Sequence, residues 1–282
     1  MREFDLTMNQ SITKLFSLQN KTAIITGGTG VLGSAMVRGL AEAGANVTIL
    51  GRRKEVAEQL ANDLSKSGFK ALGLSADVLK KEQLELVKKI VLEKFGSIDI
   101  LVNAAGGNMP GATVPLDKTF LDLNINDFQQ VVDLNLLGTV LPTQVFCEAM
   151  VKQKKGVIIN IASMASFRPI TRVVGYAAAK SGVHSFTEWL AIEMAKKFGE
   201  GIRVNAIAPG FFLTEQNKNL LSNPDGTYTP RGQAAIDNTP FGRFGKPEEL
   251  VGTLVWLCSD AAAFVTGVDV PVDGGFNVYC GV

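Results

Sequence analysis

The sequence predicts an α/β fold in which a seven-stranded parallel sheet carries helices on both faces. Short runs of β-branched and aliphatic residues alternate with longer segments whose apolar residues recur every three or four positions. The first run is followed by a glycine-rich turn and then a helical pattern, which is the order of a βαβ unit. These observations indicate a doubly wound, Rossmann-like sheet, and we expect residues 1–282 to form a single domain.

The seven predicted strands are short and rich in Val and Ile. They span residues 22–26, 46–50, 70–74, 98–103, 156–162, 202–208 and 268–273. Between them lie helical patterns, of which the longest cover about 126–154 and 175–198. Ligands bind beyond the carboxyl ends of the strands in such a sheet, so the residues that follow each strand are the candidates for chemistry.

Two segments fall outside this alternation. Residues 1–19 precede the first strand, and we expect a surface arm there. Residues 211–243 follow a strand end and contain the turn-forming residues Pro, Gly, Asn and Asp. This second segment predicts a loop that covers the substrate rather than a second domain.

Charge and composition argue against several classes of function. The 282 residues include 28 Lys and Arg against 27 Asp and Glu, a balance that predicts neither a nucleic-acid nor a membrane partner. One histidine and three scattered cysteines predict no metal site, no disulfide framework and no Ser-His or Cys-His triad, which favours a cytoplasmic protein. The sequence shows no signal-peptide pattern and no apolar window approaching 18 or so residues, so we expect no membrane span.

The glycine-rich turn after the first strand has the spacing of a phosphate-binding site. Gly27 permits a tight turn, Gly30 allows a pyrophosphate to approach the backbone, and Gly33 allows the helix to pack closely on the strand. The N-terminus of the following helix offers free N–H groups and the positive end of its dipole to the phosphates. Tight turns also use glycine for structural reasons alone, but the strand-turn-helix order favours a dinucleotide.

The end of the second strand indicates which dinucleotide is used. A carboxylate there would bind the adenosine ribose of NAD, whereas this chain has Gly51 followed by Arg52 and Arg53. A guanidinium can hold a 2′-phosphate with two hydrogen bonds, so we expect NADP(H) to be preferred, with NAD(H) as the alternative. The competing interpretation is that both arginines are solvated at the start of a helix.

Tyr176 and Lys180 are four residues apart in a predicted helix and therefore share one face. Reduction of a ketone by hydride needs a proton donor near the carbonyl oxygen, and an unperturbed phenol has a pKa near 10. A positive charge at ~5 Å, with an effective dielectric of ~20, favours the tyrosinate by roughly 3 kcal/mol. We therefore expect Lys180 to lower the pKa of Tyr176 towards the working pH. The Tyr-x-x-x-Lys spacing alone is common by chance and needs support from the rest of the chain.

Taken together, the motifs between about residue 18 and residue 282 resemble those of the short-chain dehydrogenase/reductase family. The motifs are Thr26-Gly27…Gly33, Asp77, the "NAAG" of Asn103–Gly106, Asn135, Ser163, Tyr176, Lys180, Pro209–Gly210, Thr214 and Asp273–Gly275. Two departures concern the cofactor loops. Val31 stands where the middle glycine of the family falls, and Ala104 replaces the second Asn of N-N-A-G.

The resemblance implies an NAD(P)-dependent oxidoreductase that acts on CH–OH groups and forms a homo-oligomer, commonly a tetramer. Tyr176 would transfer the proton and Ser163 would hydrogen-bond the substrate oxygen. Lys180 would contact the nicotinamide ribose, Asn135 would relay a proton to it through water, and Thr214 would hold the carboxamide. The cofactor-binding residues that the resemblance implies are Gly27, Thr29, Gly30, Val31, Leu32, Gly33, Arg52, Arg53, Asp77, Val78, Asn103, Ala104, Ala105, Gly106, Tyr176, Lys180, Pro209, Gly210, Phe212 and Thr214.

Arg168 and Arg172 lie between Ser163 and Tyr176, in a loop expected to border the cleft. Two guanidinium groups there favour a small anionic substrate, most simply a carboxylate, although both could instead pair with acidic neighbours on the surface. The expected substrate-binding residues are Asn108, Ser163, Arg168, Arg172 and Tyr176. Further polar groups suited to hydroxyls are Thr214, Glu215, Gln216 and Asn217.

Several stretches, among them "SFRPITR", "APGFFLTEQN" and "TPRGQ", resemble the branch of the family that interconverts the keto sugar acid D-fructuronate and its hydroxy acid D-mannonate. A gluconate 5-dehydrogenase or another sugar or polyol dehydrogenase would share the same motifs. A 3-oxoacyl carrier reductase would need a basic docking patch and an apolar slot. A non-catalytic dinucleotide sensor would have no use for a proton relay.

Overall fold

The structure, a computed structural model, describes residues 11–214 and 217–281. One sheet of seven parallel strands runs through it in the order β3-β2-β1-β4-β5-β6-β7. The strands are β1 (Thr22–Thr26), β2 (Asn46–Gly51), β3 (Ala71–Ser75), β4 (Ile100–Asn103), β5 (Gly156–Ile161), β6 (Ile202–Pro209) and β7 (Asp269–Val272). The predicted parallel sheet is confirmed, and every predicted strand boundary lies within two residues of the observed one.

One short helix precedes β1, and the other helices occupy the connections between the strands. They are α1 (Ile12–Leu15), α2 (Val31–Glu42), α3 (Lys54–Lys66), α4 (Lys81–Phe95), α5 (Ile125–Val132), α6 (Gly138–Gln153), α7 (Val174–Phe198), α8 (Lys218–Leu221), α9 (Pro230–Asp237) and α10 (Val251–Cys258). A π-helical turn, Asp133–Leu137, joins α5 to α6.

Helices cover both faces of the sheet, as the sequence predicts. Alternate residues of a strand point to opposite faces, so Ile25 packs beneath α2, α3 and α10 whereas Ile24 packs beneath α4, α6 and α7. Both side chains are fully buried. Burial of an aliphatic side chain of this size stabilises a fold by about 1.5–3 kcal/mol. The two cores therefore hold the strand ends in fixed positions.

The strand order reverses between β1 and β4, which makes the sheet doubly wound. Thr26, the last residue of β1, lies opposite Asn103 in β4, and Asn103 lies opposite Asn160 in β5. The carboxyl ends of these three strands are therefore level with one another. A crevice at such a switch point is where ligands bind in this class of fold.

Two segments differ from expectation. Residues 1–10 of the predicted surface arm lie outside the described part of the chain, and the arm does not extend to residue 19 as predicted. Leu18 is fully buried, and its N–H donates to the carbonyl oxygen of Ala43, because it belongs to the core beneath α2. The loop predicted over residues 211–243 contains α8 and α9, and Thr229 caps α9 by accepting a hydrogen bond from the N–H of Gly232.

The helical run Ile125–Gln153 comprises α5, the π-helical turn and α6. Within the described residues it is the one run that is long and apolar enough to cross a membrane by length and composition. The expectation that no segment approaches this threshold is therefore wrong. Val145, Phe146 and Met150 of α6 are fully buried against the sheet, which is the environment of a core helix in a globular protein.

Candidate active site

Three glycines shape the turn between β1 and α2. Gly27 has a φ of +66°, and a Cβ there would lie 2.5 Å from the carbonyl oxygen of Ala104. A Cβ on Gly33 would overlap the carbonyl oxygen of Gly27. Gly30 is the exposed N-cap of α2, and the first N–H groups of a helix have no partner within it. Bare backbone and a helix N-terminus therefore meet here, and the turn fits the pyrophosphate of a dinucleotide.

Thr26 joins this turn to the loop after β4. Its Oγ1 accepts hydrogen bonds from the N–H groups of Ala104 and Ala105, both at 3.1 Å. Asn103 is buried and donates to the side chain of Asn160 at 2.9 Å. The departure from the family motif at Ala104 leaves this arrangement intact, because backbone groups make the bonds to Thr26.

The end of β2 lies beside Thr29 of the glycine turn. A Cβ on Gly51 would come within 2.7 Å of the Thr29 hydroxyl, which leaves little room for the acidic side chain of an NAD site. Arg53 donates to the carbonyl oxygen of Thr29 at 3.4 Å, and Arg52 is exposed. A groove of about 500 Å³ lies next to Thr29 and is lined in part by Arg38, a cation that the sequence motifs do not single out.

The remaining residues expected at the cofactor begin α2, follow β3 or β4, or lie at and after the end of β6. Asp77 accepts a hydrogen bond from the N–H of Leu79 at 3.0 Å, which fixes the turn after β3. A Cβ on Gly210 would lie 2.7 Å from Cα of Asp273, and the ring of Phe212 is buried in the core. The others in these loops are Val31, Leu32, Val78, Gly106, Pro209 and Thr214.

Ser163, Tyr176 and Lys180 meet beyond the end of β5. Lys180 is buried one turn after Tyr176 in α7, and its Nζ lies 5.6 Å from the centre of the Tyr176 ring. The same Nζ donates to the carbonyl oxygen of Ile161, the last residue of β5, at 2.6 Å. Ser163 follows two residues later, and its hydroxyl lies within hydrogen-bonding reach of the Tyr176 phenol. A phenol, a hydroxyl and an ammonium thus converge at one strand end.

The acidity of the two groups in α7 differs from expectation in one respect. Burial raises the pKa of Tyr176, and the hydrogen bond with Ser163 only partly opposes the rise. The expected lowering of the Tyr176 pKa by Lys180 is therefore wrong for this structure, because burial of the phenol is the largest influence on its pKa. Burial also lowers the pKa of Lys180 to about 8, and the charge of Asp269 opposes that change.

Asn135 lies in the π-helical turn between α5 and α6. Its side chain donates to the carbonyl oxygen of Gly107 at 2.6 Å and accepts from the N–H of Gly107 at 3.1 Å. A Cβ on Gly106 would lie 2.7 Å from Oδ1 of Asn135 and 3.5 Å from Nζ of Lys180, so both polar groups face Gly106. The sequence predicts Asn135 as a site residue but not the π turn, a feature frequent at functional sites.

The residues expected at the substrate lie in two loops. Asn108 donates to the hydroxyl of Thr113 at 2.9 Å in the loop after β4. Arg168 is exposed and its Nη1 lies 3.4 Å from the carbonyl oxygen of Tyr279, whereas Arg172 lies in the turn that precedes α7. The structure thus gives the two arginines different surroundings. Glu215 and Gln216 lie outside the described residues.

A second charged cluster lies behind Lys180 and is not evident from sequence. Nδ1 of His184 lies 3.3 Å from Oδ2 of Asp269, and its Nε2 lies 3.7 Å from Glu188. Burial raises the pKa of Asp269 to about 6, and the charges of His184 and Lys180 oppose the rise. The described residues contain no group of three His, Cys, Asp or Glu side chains suited to a metal ion.

The sequence profile of the short-chain dehydrogenases matches residues 21–225. This chain belongs to the short-chain dehydrogenase/reductase family. The resemblance predicted from its motifs is confirmed, and with it an NAD(P)-dependent oxidoreductase. The dehydrogenase fold accounts for the observed sheet order and for the glycine turn at its switch point.

Known short-chain dehydrogenases resemble this chain over nearly its whole length. An uncharacterized oxidoreductase of Bacillus subtilis, UxuB, is 45% identical over 94% of this chain and 98% of its own length. A Haemophilus influenzae crystal structure with bound NAD, provisionally named D-mannonate oxidoreductase, has a TM-score of 0.89 at 42% identity, covering 96% of this chain and 100% of that one. A crystal structure of a Burkholderia cenocepacia gluconate 5-dehydrogenase with NADP and tartrate has a TM-score of 0.84 at 33% identity, covering 94% of this chain and 98% of that one.

Proposed function

We propose that this short-chain dehydrogenase transfers hydride between NADP(H) and an open-chain sugar acid, interconverting D-fructuronate and D-mannonate. The observation that carries the proposal is the convergence of Ser163, Tyr176 and Lys180 at a strand end close to the glycine turn. Bound NADPH supplies the hydride in the direction of reduction. The chain itself must supply the proton, the hydrogen bonds and the orientation.

Tyr176 is the proton donor in this proposal. Burial keeps the pKa of its phenol high, so the phenol holds its proton at neutral pH. During reduction the carbonyl carbon gains the hydride and the carbonyl oxygen gains the phenolic proton. Ser163 donates a hydrogen bond to the same oxygen, which stabilises the negative charge that develops there. Oxidation reverses these transfers.

Lys180 stabilises the tyrosinate that remains after proton transfer. Its hydrogen bond to Ile161 holds the ammonium beside the Tyr176 ring, and at neutral pH a lysine with a pKa of about 8 is mainly charged. Asn135 holds the backbone of Gly107 next to this ammonium. We assign Asn135 the relay of a proton to Lys180 through water, in addition to this positioning role.

Gly27, Gly30 and Gly33 would hold the pyrophosphate of the cofactor at the N-terminus of α2. Arg52 and Arg53 support a preference for the 2′-phosphate of NADP(H), since Thr29 leaves little room for an acidic residue at Gly51. The related Haemophilus influenzae structure holds NAD, and the Burkholderia cenocepacia structure holds NADP. The preference of this chain is therefore a separate prediction.

The substrate assignment is supported by Arg172 and by the relatives. An arginine in the turn before α7 can bind a carboxylate with two hydrogen bonds. The structure with a TM-score of 0.89 is provisionally named D-mannonate oxidoreductase, which favours D-mannonate as the hydroxy acid. The second candidate is a gluconate 5-dehydrogenase, favoured by the relative that holds tartrate, itself a hydroxy acid.

Exposed apolar side chains on α7 support a homo-oligomer, which we propose to be a tetramer working in the cytoplasm. Trp189 and Ile192 are 61% and 59% exposed on this helix. Apolar residues of this size are normally covered when they cluster on one surface. Light scattering of the purified protein tests this assembly.

The test of the function is a panel of substrates with both cofactors. Oxidation of D-mannonate and D-gluconate and reduction of D-fructuronate and a 3-oxoacyl thioester are followed with NADP(H) and NAD(H). We expect the highest kcat/KM for the D-fructuronate and D-mannonate pair. A higher value for D-gluconate favours the second candidate, and a higher value for the thioester contradicts both. Cofactor binding without turnover of any member indicates a sensor.

A further inference from the structure

We propose that Arg172 and Arg231 form a clamp for the carboxylate of the substrate. Arg231 lies in the first turn of α9, within the segment 211–243, and has no role in the family motifs identified above. The clamp deepens the sugar-acid function proposed above and rests on it. The guanidinium groups of Arg172 and Arg231 would allow the enzyme to distinguish an acid from the corresponding alcohol.

Arg231 is fixed against the loop that leads into α7. Its Nη2 donates to the carbonyl oxygen of Thr171 at 3.1 Å, and its Nη1 lies 3.4 Å from the Thr171 hydroxyl. A guanidinium has five N–H donors, so these contacts leave donors available for a ligand. Because Thr171 precedes Arg172, α9 brings Arg231 to the residue next to Arg172.

Arg172 has two unusual features for a surface arginine. Its φ is +76°, in the left-handed region that non-glycine residues rarely adopt and that occurs preferentially at functional sites. Its carbonyl oxygen accepts the N–H of Val114 at 2.9 Å, which ties this conformation to the loop after β4. Its Nε is buried and has no hydrogen-bond partner among the described residues. A buried donor of this kind is expected to meet an acceptor.

Among the described residues, the positive charges of Arg172 and Arg231 are not offset by an acidic side chain. Burial is the main cause that lowers the pKa of Arg231, and the positive charge of Arg172 lowers it further. No Asp or Glu in the described part of the chain forms an ion pair with Arg172 or Arg231, whereas Arg243 pairs with Glu249 at 2.6 Å. Two like charges held together are unfavourable in the free protein, and a bound carboxylate offsets their repulsion with bidentate hydrogen bonds.

The clamp lies within reach of the reacting groups. Arg172 precedes Tyr176 by four residues, so their Cα atoms are at most about 14 Å apart. A sugar acid with its carbonyl at Tyr176 can extend its carboxylate towards Arg172. Arg168 is not part of this clamp, since it is exposed and faces Tyr279 instead.

The test compares an acid with the alcohol that has the same hydroxyls. D-Mannonate and D-mannitol differ in one terminal group, a carboxylate against a hydroxymethyl. Oxidation of each compound with NADP is measured for the wild type, R172Q, R231Q and R231K. The control variant is K197Q, which removes one exposed positive charge at the far end of α7. Unfolding temperature and NADPH binding establish that each variant folds.

We expect R172Q and R231Q to lose roughly 10- to 150-fold in kcat/KM for D-mannonate, mainly through KM. Their kcat/KM for D-mannitol stays near that of the wild type, R231K retains part of the D-mannonate activity, and K197Q changes neither substrate. An equal loss of kcat/KM for both substrates in R172Q and R231Q would indicate that the two arginines have only a structural role. Unchanged D-mannonate kinetics would overturn the clamp as well.

A binding measurement separates failure of the clamp from failure of the proposed function. D-Mannonate and, in parallel, tartrate are titrated calorimetrically into the protein saturated with NADPH, a complex in which oxidation cannot proceed. If the wild type oxidises no sugar acid, the proposed function fails, yet weaker binding to R172Q and R231Q still supports the clamp. Equal binding of both ligands to all variants, or none to the wild type, contradicts it.

Discussion

Nζ of Lys180 lies 5.6 Å from the centre of the Tyr176 ring and is anchored by a 2.6 Å hydrogen bond to the end of β5. The sheet therefore fixes the position of the ammonium relative to the phenol. Burial lowers the pKa of Lys180 to about 8, and the negative charge of Asp269 opposes this change. The charge state of Lys180 thus depends on a carboxylate that has no place in the family motifs.

Replacement of Asp269 by Asn is expected to lower the pKa of Lys180 further. In the wild type we expect kcat/KM for reduction to fall above a pH of about 8, as Lys180 loses its charge. In D269N this alkaline limb should move to lower pH, because the opposing negative charge is gone. His184→Gln keeps the carboxylate and serves as the matched control, with a smaller shift. An alkaline limb at the same pH in D269N and the wild type would refute the coupling.

The same groups predict how stability depends on pH. The pKa of Lys180 is lowered from 10.5 to about 8, so the unfolded chain binds more protons in that window and stability rises with pH there. The pKa of Asp269 is raised from 3.8 to about 6, so its contribution to stability falls as the pH rises through that window. Urea unfolding at a series of pH values measures how the free energy of unfolding changes with pH in both windows. D269N should lose the change in the window of Asp269.

Gly33→Ala is expected to weaken both the fold and cofactor binding. A Cβ at this position would overlap the carbonyl oxygen of Gly27, so α2 would have to move away from the glycine turn. Gly252→Ala, also in a helix, is the matched control, since its Cβ would meet nothing within 4 Å. There the better helix propensity of Ala should stabilise the protein by up to about 1 kcal/mol. Thermal unfolding and NADPH titration compare the two, and equal behaviour would contradict the tight turn.

Asn135→Ala is expected to destabilise the protein by about 1–3 kcal/mol for each backbone group of Gly107 that it leaves unpaired. Turnover should fall as well, because the Gly107 segment lies next to Lys180. Asn126→Ala is the matched control, because it removes an exposed asparagine side chain of α5 that does not contact Gly107. Chemical unfolding and steady-state kinetics are the measurements. If N135A matches N126A in both, Asn135 has neither role.

Arg52→Gln is expected to raise the KM for NADP by roughly tenfold or more while leaving the KM for NAD unchanged. The guanidinium would bind only the 2′-phosphate, which NAD lacks. Lys54→Gln removes a nearby exposed charge that pairs with Glu58 at 3.8 Å, and it should alter neither constant. A wild type that prefers NAD would show the cofactor prediction to be wrong.

The strands and the glycine turn could be predicted from sequence because each depends on a local pattern. Runs such as residues 22–26 consist of β-branched residues and alanine, and Gly27 and Gly33 have the spacing of a βαβ unit. Tyr176 and Lys180 follow from helical periodicity. What these patterns share is that the relevant neighbours are close in sequence.

Several features that the sequence did not predict depend on distant contacts. The raised pKa of Tyr176 reflects burial by several elements, which spacing to Lys180 does not encode. Asp269 lies 85 positions from His184, and Arg231 lies 60 from Thr171. Neither separation has a periodicity that would indicate a contact. The "TPRGQ" stretch contains Arg231, but from sequence it supports only the resemblance to a branch of the family and no contact with Thr171.

The most direct test of the central claim is reduction of D-fructuronate with NADPH by the wild type and by Tyr176→Phe. Loss of the hydroxyl removes the proposed proton donor while the ring still fills its place in α7. We predict turnover by the wild type, and in Y176F unchanged NADPH binding with a loss of about 10²–10⁴-fold in kcat. Turnover near that of the wild type in Y176F would contradict the assignment of Tyr176 as the proton donor.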